Sequence, residues 1–343
     1  MKKAFVIWVQ EVKLSEFLAR EIDAEIIISC KKYWGNFSIP TIVRYIIQGF
    51  DTYRKLRKIR PQIIFVQNPP IIAVAVVYLY AKFNSAEYII DTHTAGFIDK
   101  KWTYFHPLHK FLAKRAIWNT AHNYKNLEYL KNWGIEKSSV LQFYTPTKLE
   151  ILKENIALSD ELEAKLKNQA GLKVFMVNRF AEADDAWQEV VETARIMPQA
   201  LFFLTGNDEK ISQKIKDAFP ANVTTTGYLK HKEFMTLMDR SDVVLALTKR
   251  RDTVLWSIRE IMALKKPFVT SDSETIKHYF SDVALLTNHK ASDLAEKIQL
   301  AQEKKTEIEE KIDTFLKKDT IRWKNDILFI NQVIEKNLKA KNM

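Results

Sequence analysis

Along the chain, short β-branched or apolar runs alternate with longer stretches whose apolar positions recur every three or four residues. In the first half the runs predict strands at 4–9, 25–29, 63–66, 88–91, near Ile117 and at 140–143. Helices are predicted there at 13–22, 39–59, 71–83, 107–113 and 123–133. The second half repeats the style, with strands at 173–177, 201–205, 223–226, 243–247 and 268–270. Its helices are predicted at 186–196, 209–219, 231–240 and 255–264. Such alternation predicts parallel sheets with crossover helices, and two successive sets predict an α/β chain of two Rossmann-like domains. The seam lies near 145–171, where Thr145-Pro146-Thr147 breaks the last strand of the first set. The expected division is an N-terminal domain at 1–150, a linker at 151–170, a C-terminal domain at 171–318 and a terminal helix at 319–343. In the terminal segment Trp323, Ile327, Ile330 and Val333 form an amphipathic face.

Two apolar stretches bear on targeting. Residues 1–9 mimic a secretion signal, but the apolar run meets Gln10 and Glu11 after six residues and no small-residue cleavage site follows. A first strand is the expectation. Residues 69–81 fall short of the about 20 needed to span a bilayer and read as a buried helix. The chain is expected to lie on a membrane without crossing it.

Composition narrows the class. Hydrophobic residues make up 47% and charged residues 28%, ample for a core and unlike a disordered chain. The single cysteine, Cys30, excludes an internal disulfide framework and a cysteine-built zinc site, and fits a reducing cytoplasm. The net charge is +11, and residues 1–150 hold 22 Lys and Arg against 12 Asp and Glu, nearly the whole excess. A basic half suggests nucleic acid, a membrane surface, a phosphorylated substrate, or only a solvated surface. No RNP-like motif, helix-turn-helix or zinc pattern accompanies it, so no nucleic-acid partner is expected.

Ligands of open α/β sheets sit at the carboxyl ends of the strands, so the residues after each strand are the candidates. After the third N-terminal strand, Gln67 and Asn68 precede Pro69-Pro70; an amide there suits a sugar hydroxyl or a plain turn. After the next strand, Asp91 and His93 are spaced so that both side chains share a side if the chain stays extended. Such a carboxylate can orient or charge the imidazole, as a general base requires. Gly96, His106 and His109 follow. In the second half Gly206-Asn207 and Gly227-Tyr228 follow strands; glycine permits close backbone approach and Tyr228 could face a nucleobase. Thr248 opens a run of three cations, Lys249, Arg250 and Arg251, at a strand-to-helix junction, which could hold a diphosphate without metal. Asp252, Thr253 and Glu260 follow; helical spacing would bring Asp252 and Glu260 near one face, with Glu260 able to bind a ribose diol. The reading without chemistry is a charged helix start with Asp252 near the N-cap. No G-x-G-x-x-G or P-loop pattern occurs.

These residues resemble a GT-B glycosyltransferase over nearly the whole chain. Asp252-x7-Glu260 followed by Ile-Met-Ala-Leu-Lys-Lys-Pro-Phe-Val resembles the E-x7-E donor motif of family 4 glycosyltransferases. Thr226-Gly227-Tyr228 and Ser241-Asp242-Val243 look like two further landmarks of that family. Gln67-Asn68-Pro69-Pro70, Asp91-Thr92-His93 and His106-Pro107 are similar to the acceptor domain of the β-1,4-mannosyltransferases that build dolichol-linked oligosaccharide. The chain departs from these patterns at Asp252 for the first Glu, at Lys265-Lys266 for the usual Gly, and at Thr92 for a Trp. Arg179 only partly matches the family's phosphate-binding Arg/Lys pair, and no glycine-rich loop follows the first strand.

The resemblance implies a GT-B fold, two Rossmann-like domains with parallel sheets facing a cleft, and a last helix that crosses back to the first domain. It implies a hexosyltransferase that moves sugar from a nucleotide-diphospho-sugar to a glycan or lipid-linked acceptor, on the inner face of the cytoplasmic membrane. The donor would meet Arg179, Gly206, Asn207, Tyr228, Thr248, Arg251, Asp252, Thr253 and Glu260. Gln67, Asn68, Gly96 and His106 would meet the acceptor, with Asp91 and His93 at its hydroxyl. No Asp-x-Asp occurs, so no metal and no separate cofactor are expected. The basic N-terminal half is expected to dock on anionic lipid. The alternative from another class is a non-catalytic GT-B scaffold or glycan-binding subunit.

Overall fold

The computed structural model describes residues 1–9, 13–30, 33–34, 37–38, 40–142, 144–168, 170–181 and 183–341. Gln10, Glu11, Ile39, Phe143, Gln169, Asn342 and Met343, on which parts of the sequence reading fall, lie outside these. The chain forms two compact units: Met1–Tyr144 with Ile321–Met343, and Thr145–Thr320.

In the first unit, β1 (Lys3–Ile7), β2 (Ala24–Ile28), β5 (Ile63–Asn68), β6 (Glu87–Thr92), β7 (Trp118–Ala121) and β8 (Ser138–Val140) form a parallel sheet in the order β2-β1-β5-β6-β7-β8. A short antiparallel ribbon, β3 (Tyr33–Trp34) with β4 (Phe37–Ser38), was not foreseen in the sequence. Side chains alternate across the pleat. Ala4, Val6, Ile64, Val66 and Ile90 pack on one face, against the helices Thr41–Ile59 and Ile71–Asn84. Phe5, Ile7, Ile63, Phe65 and Ile89 pack on the other, with Leu18, Ile22, Trp323, Ile330 and Ile334. The middle of each central strand is apolar on both faces because both are covered, while β5 and β6 end in the polar residues Gln67, Asn68, Asp91 and Thr92. The terminal helix buries Ile334 rather than the expected Val333, one turn beyond Ile330.

In the second unit, β9 (Lys173–Met176), β10 (Leu201–Leu204), β11 (Val223–Thr225), β12 (Val243–Ala246), β13 (Phe268–Ser271) and β14 (Leu285–Thr287) run in the order β11-β10-β9-β12-β13-β14. All five pairings are parallel. β14 and the helices Glu274–Phe280 and Ala291–Glu303 extend the pattern past the last predicted strand. The helix expected at 209–219 is instead a 3-10 turn, Asp208–Lys210, and a short helix, Gln213–Asp217. Ile211 between them takes extended backbone and buries its side chain. The helix Lys305–Lys341 belongs to the second unit up to Thr320 and to the first from Ile321. Among the described residues no helix is long and apolar enough to cross a membrane.

One charged cluster lies inside the second unit. Arg259 is buried, and its Nη1 lies 3.1 Å from Asp319 Oδ1 and donates to Thr145 Oγ1 at 2.8 Å. Thr145 in turn donates to Asp319 Oδ2 at 2.7 Å, and the guanidinium lies 5.1 Å from the Phe280 ring centroid. A buried ion pair is tolerable only where hydrogen bonds satisfy it. Thr145→Val keeps the shape and removes that hydroxyl. It should cost about 2 kcal/mol, read as a lower urea midpoint for the second unit with an unchanged slope.

Candidate functional site

Each sheet has a place where successive connections leave in opposite directions, and such places open a crevice at the strand ends. In the first unit this lies between β1 and β5, in the second between β9 and β12.

At the first unit's strand ends, the β6–β7 register sets Asp91 opposite Thr120. Thr120 Oγ1 donates to Asp91 Oδ1 at 2.7 Å, and His122 Nε2 lies 3.1 Å from the same oxygen. His93 Nε2 lies 3.5 Å from Oδ2, and the two imidazole rings meet edge-on at 4.0 Å between centroids. Asp91 and His122 are buried, while the His93 side chain keeps 21% exposure. The expected Asp91–His93 pair is therefore present, and His122 joins it as a third member that the sequence reading missed. Burial alone would raise the Asp91 carboxyl, but His122, by charge and hydrogen bond, and then His93 hold it well below the usual carboxylate range. Burial, then the neighbouring His122, push His93 down to about 4, with Asp91 opposing. At neutral pH this is an anionic carboxylate behind a neutral, partly exposed imidazole, a proton acceptor held in place by its neighbours. The ligand atoms of Asp91, His93 and His122 all lie within 4.8 Å of one another, so this cluster could also hold a metal ion.

The other acceptor-side candidates divide. Asn68 Nδ2 lies 3.2 Å from His109 Nε2, and Thr92 Oγ1 lies 3.3 Å from that nitrogen. Gly96 sits against them: a Cβ there would come within 3.1 Å of Thr92 Cγ2 and 3.2 Å of Asn68 Nδ2. His106 packs on Trp133 at 4.8 Å, beside the Gly96 and Phe97 backbone. Gln67, one residue from Asn68 on the strand, points to the opposite face, where it accepts from Ser15 Oγ at 3.3 Å.

Burial, then His106, push His109 down to about 3. Unfolding restores an ordinary histidine, so between pH 6.5 and about 3 the unfolded chain binds more protons than the folded one. Stability should be complete above pH 6.5 and fall as pH drops through that window, by at most about 1.4 kcal/mol per pH unit for this group. His109→Gln should flatten this part of a midpoint-against-pH curve.

In the second unit the loops after β9 and β12 lie together. Lys249 N–H donates to the Asp184 carbonyl at 2.7 Å, Arg250 Nε lies 3.9 Å from Asp184 Oδ1, and Lys249 pairs with Glu189 at 2.8 Å. Arg179 N–H and Ala181 N–H both donate to Asp185 Oδ2, and the exposed Arg179 guanidinium lies 3.2 Å from Asp184. The Gly206 backbone presses on this loop at φ +120°; a Cβ there would meet the Asn178 carbonyl oxygen at 2.5 Å. No other residue fits this approach. Thr248 Oγ1 accepts from Arg250 N–H, and Thr248 N–H donates to Ser271 Oγ, which His289 Nε2 meets at 2.7 Å. Arg179, Gly206 and Thr248 thus gather at the switch point with Arg250, while Arg251 is exposed.

Two expectations change here. The helix after β12 starts only at Trp256, and Asp252 stands before it in a turn at φ +54°, so Asp252 and Glu260 do not share a helical face. Glu260 alone lies in the helix, its side chain 8% exposed and 4.0 Å from His231 Nδ1. The segment after Gly206 offers no helix for an anion: Asn207 Oδ1 already accepts from Glu209 N–H, and Asp208 and Glu209 occupy the first turn. Tyr228 is 79% exposed beyond Gly227, and Thr253 Oγ1 donates to the Arg251 carbonyl. The sequence reading missed Asp184, Asp185 and His231. The signal for the aspartates was an acidic pair a few residues past a strand-end arginine.

Residues 159–319 match the family described as glycosyl transferases group 1. No curated protein sequence matches the chain significantly. Among solved structures, the chain is similar to a sucrose-phosphate synthase from Thermosynechococcus elongatus, with a TM-score of 0.73 at 13% identity over 99% of this chain and 100% of that one. It is similar to Anabaena HepE, solved with UDP and glucose, with a TM-score of 0.71 at 14% identity, covering 99% and 100%. It is also similar to the lipopolysaccharide outer core galactosyltransferase WaaB, at 0.60 and 12%, covering 96% and 100%. The two six-stranded parallel sheets and these likenesses give the GT-B fold.

Proposed function

We infer from the group 1 match over residues 159–319 that the chain is a nucleotide-sugar-dependent glycosyltransferase of that family, and propose that its second unit takes the donor and its first the acceptor. The observation that supports the donor assignment is the switch-point pairing of the loops after β9 and β12, where Arg179 and Arg250 both approach Asp184 and Lys249 pairs with Glu189. Cations and backbone N–H groups there would stabilise the leaving diphosphate without a metal ion. Arg251, Asp252, Thr253, Tyr228 and Asn207 border the crevice, and Glu260 holds the donor ribose. The sugar is a hexose; the UDP-glucose complex of Anabaena HepE makes UDP-hexoses the first donors to try.

On the acceptor side, neutral His93 takes the proton of the attacking hydroxyl as its oxygen bonds to the anomeric carbon and the nucleoside diphosphate departs. Asp91 and His122 hold the imidazole and balance its charge. In a retaining reaction the same residues position the hydroxyl. Asn68, Gly96 and His106 border the acceptor, a glycan or a lipid-linked saccharide presented at an anionic membrane surface on the cytoplasmic side, while Gln67, on the opposite face of the strand, drops out of that set. Nucleotide release across UDP-, GDP- and ADP-hexoses, with and without a polyprenyl-pyrophosphate acceptor, tests the reading. One donor should stand out and respond to acceptor, and no release from any donor would overturn it.

A further inference from the structure

An apolar groove of about 1070 Å³ runs along the first unit between the helices Thr41–Ile59 and Ile71–Asn84, closed at one side by Trp102 and Phe105. Its walls carry large side chains turned to solvent: Ile46 is 66% exposed, Phe50 73% and Phe83 72%. On the first helix Ile42, Ile46 and Phe50 recur every four residues, so they form one stripe. Gly49 lets the helices approach, since a Cβ there would come within 3.2 Å of Val76. Contiguous apolar surface of this kind marks an interaction site rather than ordinary exposure.

The rim decides what fits. Arg44 lies 5.3 Å from the Tyr45 ring centroid, Lys82 5.9 Å from Phe83 and Lys101 5.4 Å from Trp102. Among the described residues no acidic side chain lines the groove. A second copy packed through a two-fold axis would set this cationic rim against itself. An anionic bilayer leaflet offers hydrocarbon to the stripe and phosphates to the rim. We propose that this groove inserts into an anionic leaflet, with Ile46, Phe50 and Phe83 among the acyl chains and Arg44, Lys82 and Lys101 on the phosphates.

The proposal rests on the reading in which the acceptor is presented at a membrane, and it gives that reading a surface. The groove reaches Ile72, just after β5, and Phe105, which immediately precedes His106. A lipid-borne saccharide held here starts beside the proposed acceptor residues.

The test is flotation of the full chain with vesicles of phosphatidylglycerol and phosphatidylcholine in equal parts, against phosphatidylcholine alone. Brominated acyl chains report depth through tryptophan quenching. The protein should float only with the anionic vesicles, and its quenching should fall in Trp102→Phe. The triple variant Ile46→Ser, Phe50→Ser, Phe83→Ser should lose at least about tenfold in binding, while nucleotide release from a soluble donor and the thermal midpoint stay unchanged. Binding that survives the triple variant but fails in Arg44→Gln with Lys82→Gln and Lys101→Gln would mean headgroup adsorption and overturn insertion. So would absence of flotation in a protein that turns over donor normally, and so would a dimer that Phe50→Ser dissolves. Loss of donor turnover in the unmodified protein would instead count against the glycosyltransferase reading.

Discussion

Glu260→Ala is expected to abolish donor turnover while leaving the fold intact. Glu260 lies in the second half of the helix Trp256–Ala263, and its side chain is nearly buried beside His231. A carboxylate there can accept from both hydroxyls of a ribose, and each charge-assisted hydrogen bond contributes about 1.5–3 kcal/mol. Losing both corresponds to about 10²- to 10⁴-fold in donor affinity, enough to put saturation out of reach at ordinary concentrations. Glu260→Gln keeps the shape and one acceptor, and should fall between the two. The measurements are nucleotide release against donor concentration and the thermal midpoint. Wild-type donor kinetics in Glu260→Ala would remove the residue from the site.

The second large effect is expected at Asp91. Asp91→Asn preserves size but replaces the anion that His122 and His93 face and that Thr120 donates to. If His93 takes the acceptor proton, kcat should fall about 10²- to 10⁴-fold with the donor KM unchanged. In a retaining reaction the loss should appear in the acceptor KM. The pH dependence carries its own signature. With His93 pushed down to about 4, the wild-type acid limb should lie well below the position of an ordinary histidine base. Loss of that limb in His93→Gln, alongside reduced activity, would tie the proton to this residue. An Asp91→Asn enzyme with unchanged kcat and unchanged KM for both substrates would place the chemistry elsewhere.

The framework of both units was legible because strands buried on two faces read as short apolar runs and the intervening helices as longer periodic ones. Strand ends followed from that, and with them Asp91, His93, Asn68, Arg179, Gly206 and Thr248. What stayed hidden depends on neighbours distant in sequence. His122 is 31 residues from Asp91 and meets it only because β7 lies next to β6 with Thr120 opposite Asp91. Helical spacing misplaced Asp252 because the residue stands in a left-handed turn before the helix, which begins at Trp256 close to its expected start at 255. The helix expected at 209–219 is split at Ile211, which takes extended backbone and is buried. The ion pair of Arg259 with Asp319 was invisible for the same reason as His122, since 60 positions separate the partners.

The discontinuity of the first unit also shapes how the protein is made. A chain leaving the ribosome N-terminus first delivers Met1–Tyr144, then all of Thr145–Thr320, and only then Ile321–Met343. The unit that begins first therefore finishes last. Until Trp323, Ile330 and Ile334 emerge, the sheet face bearing Phe5, Phe65 and Ile89 has only the Leu18 and Ile22 side of its cover. At about 5–20 residues per second the second unit takes roughly ten to thirty seconds to synthesise, and for that interval part of the first unit's apolar face waits for the terminal helix.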